Sequence, residues 1–176
     1  EGVRGIPQTM SGRESVPSSR EICSLKEGEA FTDVVGPLGQ PSEFIHLPDE
    51  ELAKMSFVFI AGGLGTAPVY PQAKYFHQKG ARVDVILGAK TADLVILEKE
   101  MSQVCDNLYI CTDDGSKGFH GLVTAKLEEL VAQGKEYTQA VAIGPMIMII
   151  GLGLAPSAIS QIGITAGTEL QWQPLV

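Results

Sequence analysis

The chain is 176 residues long, 44% hydrophobic and 19% charged, which fits one globular domain, or one domain with a piece of another. A formal net charge of −8 excludes sequence-independent binding to nucleic acid, which needs a basic surface, and argues equally against an anionic membrane as partner. The three cysteines, Cys23, Cys105 and Cys111, have no CxxC spacing, so neither a disulfide framework nor a metal site is expected and the cytoplasm is the natural compartment.

No secretory signal opens the sequence, which begins at Glu1 rather than at methionine and so reads as a fragment. Residues 1–21 are rich in Gly, Ser, Pro and Arg without periodicity and are expected to form an irregular arm. Residues 22–54 change character. The stretch 29–35 alternates as a strand does and GPLGQP (36–41) is dense in turn formers, a partial β structure too short to stand alone.

From 55 to 150 a regular rhythm follows. FVFIA (57–61) is an unbroken apolar run, as expected of a strand covered on both faces. Residues 68–79 fit a helix stopped at Gly80, and ARVDVIL (81–87) is a second strand. Residues 92–104 have helical spacing, with Leu94, Leu97 and Met101 on one side. NLYICT (107–112) is a third strand. Residues 121–132 form a helix with Leu122, Leu127, Leu130 and Val131 inward, and QAVAIG (139–144) is a fourth strand. The most apolar stretch, 146–154, is about half of what a bilayer crossing needs and reads as a buried element. Residues 151–176 remain an unassigned tail.

Strand and helix alternating at this spacing predict an α/β fold, a parallel sheet flanked by helices. In such sheets ligands bind beyond the carboxyl ends of the strands. There each strand is followed by a distinctive turn: GGLGTAP, GAK, TDDGS and GPM. In GGLGTAP, Gly62, Gly63 and Gly65 let a pyrophosphate approach the main chain without interference from a Cβ. Pro68 suits a first helical turn, where its missing N–H costs nothing. The N–H groups of that turn are open to phosphate oxygens, with Ala67 in the same turn and Thr66 adding a hydroxyl. Proline stands where the common fingerprint has a third glycine, and no acid ends the second strand, Asp84 lying inside it.

Lys90, after Gly88 and Ala89, either meets a 2′-phosphate, favouring NADPH, or is a solvated lysine. Asp113 and Asp114 either hydrogen-bond a ribose or shape their turn; no His or third acid accompanies them to suggest a metal. Gly144 and Pro145 are placed near the other half of a dinucleotide. Of His46, His77 and His120, only His120 falls near this edge, and no nucleophile set accompanies it. GxxxxGK[ST] is absent, against a P-loop nucleotide triphosphatase.

GPLGQP, AGGLGTAPVYPQAK, ILGAKTADLVILEKEM, TDDGSKGFHGLVT and AIGPMIM, in this order over residues 22–148, resemble the ferredoxin–NADP⁺ reductase superfamily. Within it they are similar to dihydroorotate dehydrogenase electron-transfer subunits and to the small subunit of NADPH-dependent ferredoxin oxidoreductase. The resemblance implies a β-barrel flavin domain followed by a pyridine-nucleotide domain. It implies cofactor contacts at Gly62, Gly63, Gly65, Thr66, Ala67, Pro68, Gly88, Ala89, Lys90, Asp113, Asp114, Gly115, Gly144, Pro145 and Met146. Gly36, Pro37, Leu38 and Gly39 match the end of the flavin domain.

The implied reaction is hydride transfer between NADP or NAD and FAD, then single electrons onward. The cofactors carry that chemistry, so no catalytic side chain is expected. Most of the barrel has no counterpart here. The chain therefore reads as truncated, with 22–54 a remnant of the flavin domain, RGIPQT (4–9) a faint match to a flavin segment, and FAD assigned to the parent protein. No cysteine follows Cys111, and an iron–sulfur cluster needs four thiolates or equivalents, so none is expected. The implied partner is a larger flavoprotein or dehydrogenase subunit, with ferredoxin and a second copy of the chain as further partners. The alternative is a nucleotide-binding module without its own flavin. A methyltransferase, resting on one Gly-rich turn, explains neither GPLG nor the strand-end GP.

Overall fold

The computed structural model of the chain describes residues 17–31, 33, 43–145, 148, 163–168 and 171–172. It divides into two units, Glu1–His46 and Leu47–Val176. In the first, α1 (Pro17–Ser24) is followed by turns and a short 3-10 helix, Glu43–His46. The expected irregular arm thus gains a helix at its end, where Ser24 closes the last turn by donating to the Glu21 carbonyl (2.8 Å). The expected strand over 29–35 is not formed by 29–31 and 33, the residues of it that are described. Its acid instead makes a turn, the Glu29 carboxylate accepting the Lys26 N–H at 2.8 Å.

The second unit opens with a helical turn, α2 (Asp49–Leu52), and then builds the sheet. Its strands are β1 (Ser56–Gly62), β2 (Arg82–Ala89), β3 (Asn107–Thr112), β4 (Phe119–His120), β5 (Gln139–Ile143), β6 (Gly163–Thr168) and β7 (Gln171–Trp172). Among the described residues they form one seven-stranded sheet in the order β4-β3-β2-β1-β5-β6-β7. All neighbours are parallel except β6 and β7. The tail that shows no pattern in the sequence therefore supplies strands. Short Gly- and Thr-containing stretches such as GITAGT lack the apolar run that marks β1, and their pairing to β5 is long-range.

The chain runs outward from β1 through β2 and β3, then returns to place β5 on the other side of β1. Such a reversal opens a crevice between the two strands concerned. Two layers of apolar side chains hold the sheet between helices. On one face, Phe57 stacks on Phe76 of α3 (Thr66–Gln78), the rings 4.2 Å apart, and Phe59 tilts against the same ring. On the other, Val58, Ile60, Ile86 and Cys111 pack with Val123, Leu127 and Leu130 of α5 (Val123–Ala132). Burial on both faces is what the unbroken apolar composition of β1 requires. α3 stops at Gly80, whose φ of +84° suits glycine, with Ala81 N–H returning to the Phe76 carbonyl.

Two helical expectations are corrected. Residues 92–104 are not one helix but a 3-10 turn, Ala92–Leu94, an extended Val95, and a single turn α4 (Glu98–Met101). β-branched Val95 and Ile96 resist a helix, and Leu97 takes a left-handed conformation. Met101 is buried as expected, but Leu94 is 50% exposed. Leu122 precedes α5 rather than lying on its inner face and is 62% exposed.

Candidate functional site

Parallel pairing brings the strand ends to one edge. Gly62 lies opposite Gly88 and Gly88 opposite Cys111. Ala61 lies opposite Ile143, so Gly144 follows at the same level. GGLGTAP and GP face each other across the reversal between β1 and β5, the position at which such sheets bind ligands.

The glycines there are dictated by close approach. A Cβ on Gly65 would lie 2.2 Å from the Ile143 carbonyl oxygen. One on Gly62 would lie 2.8 Å from Pro145 Cδ and from Met148 Sδ, and one on Gly144 would lie 2.7 Å from Met148 Cε. Backbone thus packs on backbone, and Met148 seals the contact. Gly63 differs. Its φ is +54°, and a Cβ on it would meet none of the described residues within 4 Å. A 3-10 turn, Gly63–Gly65, runs straight into the 13-residue α3. A glycine with open space above it, leading to the N–H groups of a helix start, fits the approach of a phosphate.

Thr66 is 2% exposed, and its hydroxyl donates to the Gly63 carbonyl at 2.9 Å. Its hydrogen is committed to holding the turn. Ala67 is partly exposed and Pro68 exposed in the first turn of α3.

At the end of β2, a Cβ on Gly88 would strike Val123 Cγ1 at 2.6 Å. Ala89 and Lys90 are bound through their carbonyls to the next turn, accepting from Asp113 N–H (3.1 Å) and Asp114 N–H (3.3 Å). The Lys90 side chain is exposed and has no ion pair among the described residues. The two adjacent aspartates separate in role. Asp114 Oδ1 accepts both Ser116 Oγ–H (2.6 Å) and Ser116 N–H (2.9 Å), and these bonds hold its carboxyl below the usual value. Asp113 is exposed, and its carboxylate accepts no hydrogen bond among the described residues. Gly115 is left-handed, and a Cβ there would lie 2.8 Å from the His120 ring. His120 is exposed on β4 beside Thr112. Burial pushes the neighbouring Cys111 thiol up to about 11, which keeps it protonated and inert.

Several participants are not legible in the sequence. Ser116 Oγ accepts the Ala92 N–H at 2.8 Å, and Lys117 pairs with Glu98. The Asp114-to-Ser116 turn has a local signal, since aspartate commonly bonds the backbone two residues on. The contacts of Met148, Ala92 and Glu98 span the fold and have none. Met146, Gly36, Pro37, Leu38, Gly39 and residues 4–9 lie outside the described residues. Among those described, no helix is long and apolar enough to cross a membrane.

Comparison with known proteins agrees with this fold. Residues 59–152 match the oxidoreductase NAD-binding domain family. An uncharacterized Clostridium beijerinckii protein, known by its place in the adh 3′ region, is 52% identical over 132 residues, covering 74% of this chain and 45% of that protein. A Thermotoga maritima homologue of the dihydroorotate dehydrogenase B (NAD⁺) electron-transfer subunit is 36% identical over 132 residues, covering 75% and 44%. The solved NADH-dependent reduced ferredoxin–NADP oxidoreductase, described in connection with flavin-based electron bifurcation, superimposes with a TM-score of 0.69 at 32% identity, covering 85% of this chain and 50% of that one. The chain spans about half the length of the curated relatives it matches. It belongs to the oxidoreductase NAD-binding domain family, of the ferredoxin–NADP⁺ reductase-like kind, and resembles dihydroorotate dehydrogenase electron-transfer subunits.

Proposed function

We propose that this chain is the pyridine-nucleotide domain of an NAD(P)H-linked electron-transfer subunit, in which hydride passes between nicotinamide and FAD in the parent protein. The observation that carries this reading is the Gly62–Gly65 turn opening onto α3 at the sheet reversal, with Gly63 bare on its outer side. The turn and the start of α3 receive the pyrophosphate through backbone N–H groups. Gly88, Ala89 and Lys90 border the adenosine ribose, and Lys90 is the cation that would favour a 2′-phosphate. Asp113, Asp114, Gly115, Gly144, Pro145 and Met146 line the remainder.

The bound nucleotide supplies the hydride. The protein's part is to orient it and exclude water. Hydride carries its own electron pair, so no side chain has to move a proton. We assign residues 22–54 to the end of a flavin domain, with Gly36, Pro37, Leu38 and Gly39 at its FAD side. We place the protein in the cytoplasm beside a larger flavoprotein or dehydrogenase subunit, passing electrons to that subunit or to ferredoxin.

Calorimetric titration of the purified chain with NADH and NADPH tests the site, with Gly63→Asn as the variant. Asparagine tolerates the left-handed backbone, so its bulk enters the open space at little cost to the fold. Binding by the wild type that falls at least about tenfold in a folded Gly63→Asn supports the reading, and the tighter nucleotide decides the role of Lys90. Equal binding by both would sink the assignment of the turn. Gly65 is unsuited to this test, because any side chain there collides with the Ile143 carbonyl. A yellow chromophore carried by the full-length parent protein tests the flavin half.

A further inference from the structure

Residues 91–98 and 113–118 leave different strands yet are tied together. The Ala92 N–H donates to Ser116 Oγ at 2.8 Å, and the Lys117 ammonium pairs with the Glu98 carboxylate. Lys117 is held at its backbone as well. Its N–H donates to Thr112 Oγ1 (3.0 Å), and the same hydroxyl donates to its carbonyl (2.8 Å). The ion pair therefore pulls on a stiff segment that also carries Asp113, the carboxylate at this edge with no partner among the described residues.

On the other side, Glu98 opens α4 directly after Leu97, whose φ of 56° and ψ of 25° form a conformation that L side chains rarely adopt. Leu97 is the non-glycine residue with positive φ among those described. Such outliers persist where the surroundings over-determine them and concentrate at functional segments. Here the turn aims the chain so that Glu98 reaches across 19 residues of sequence to Lys117. Both partners of the pair have 38% side-chain exposure, and pairs so open to water add little stability. The benefit of this one is therefore geometric.

We infer that the Glu98–Lys117 pair is a positioning latch for the nucleotide. It fixes the 113–118 loop against the 91–98 segment and so presents Asp113 at the carboxyl edge of the sheet. This rests on the nucleotide reading above. Glu98 and Lys117 are positioning residues that act through the loop and need not touch the ligand.

The test is calorimetric titration of the whole chain with NADH and with NADPH, comparing wild type, Glu98→Ala, Lys117→Ala and the charge-swapped Glu98→Lys/Lys117→Glu. Each single variant is expected to weaken binding roughly three- to tenfold, and the swap to recover most of it, since a coupled pair shows itself in such a cycle. Amide exchange over 113–118 in the free protein should quicken in the single variants while the thermal midpoint holds. Single variants that bind like wild type, or a swap as weak as the singles, overturn the latch while the nucleotide reading stands. A folded wild type that binds neither NADH nor NADPH overturns the nucleotide reading itself and this inference with it.

Discussion

The two ends of the same parallel sheet are built on opposite terms. At the carboxyl edge, Gly62, Gly65 and Gly144 bring backbone against backbone, and the polar groups of Asp113 and Lys90 stand in solvent. At the amino edge, polar side chains pair with one another and with the backbone around one buried carboxylate. Asp84, fully buried in β2, accepts from Asn107 Nδ2 (2.7 Å), Lys135 Nζ (2.8 Å) and the Tyr137 hydroxyl (2.8 Å). Beside it, the Asp106 carboxylate takes the Val83 N–H at 2.7 Å, and Thr138 exchanges bonds with Ser56. The difference teaches where each job is done. A ligand edge must keep donors and acceptors unspent, whereas a supporting edge can surround its buried charge with donors from its own chain, the condition under which a buried charge is tolerated.

The largest expected effect breaks the amino edge. Asp84→Ala should cost about 3 kcal/mol, because it strips three donors of their acceptor, one of them a cation. Denaturant unfolding measures this, and nucleotide affinity of the remaining folded molecules should stay as it was. A large loss of affinity would show that the two edges are not independent.

The same carboxylate makes a pH prediction. Burial alone would raise its pKa, but the bonds from Asn107, Lys135 and Tyr137, together with the Lys135 charge, outweigh that and hold it below the ordinary value. A carboxyl depressed in the fold contributes its stability above the unfolded value of about 3.9 and loses it as pH falls through the lower folded value. Wild type should therefore lose stability below about pH 4 through this group. Asp84→Asn should start less stable at neutral pH and show a flatter acid limb, as read from unfolding midpoints across pH.

Next in size, Gly65→Ala should cost about 2–3 kcal/mol, because its Cβ has to displace the β5 backbone rather than a flexible side chain. Here stability and nucleotide binding should fall together, in contrast with Asp84. A stable Gly65→Ala would mean that the crevice between β1 and β5 is wider than described.

A smaller effect concerns the thiols. Burial, helped by Asp106 and Asp84, raises Cys105, and burial raises Cys111, each to about 11, while Cys23 is exposed. Alkylation of the folded protein near pH 8 should therefore mark Cys23 and leave the other two, and mass mapping of the modified peptides checks it. Smallest of all is Ser56→Ala. Its buried Oγ has no partner among the described residues, so removing it should leave stability within about 0.5 kcal/mol of wild type or raise it slightly.

Much of this architecture is written locally. The apolar run 57–61, the stop at Gly80 and the strand run 107–112 are set by residues next to one another, and their elements appear where the pattern puts them. The glycine turns are visible in the sequence as composition, but the steric demand on Gly62 and Gly65 comes from Ile143, Pro145 and Met148, across the fold. Residues 92–104 mislead because the β-branched pair Val95 and Ile96 interrupts residues that otherwise favour a helix, and Leu97 turns left-handed where the spacing would continue.

By itself, then, the sequence determined the parallel α/β order, the two-faced burial of β1 and the set of turns at one edge, since these follow from periods of two and 3.6 residues and from the shape of glycine. Only the tertiary structure decided that β6 joins β5, that Asp84 is neutralised by Lys135 from 51 residues away, that Asp113 and not Asp114 stays open, and that Glu98 meets Lys117. These are pairings between distant segments. Their energy depends on where the folded backbone sets two side chains, and no local pattern encodes that distance.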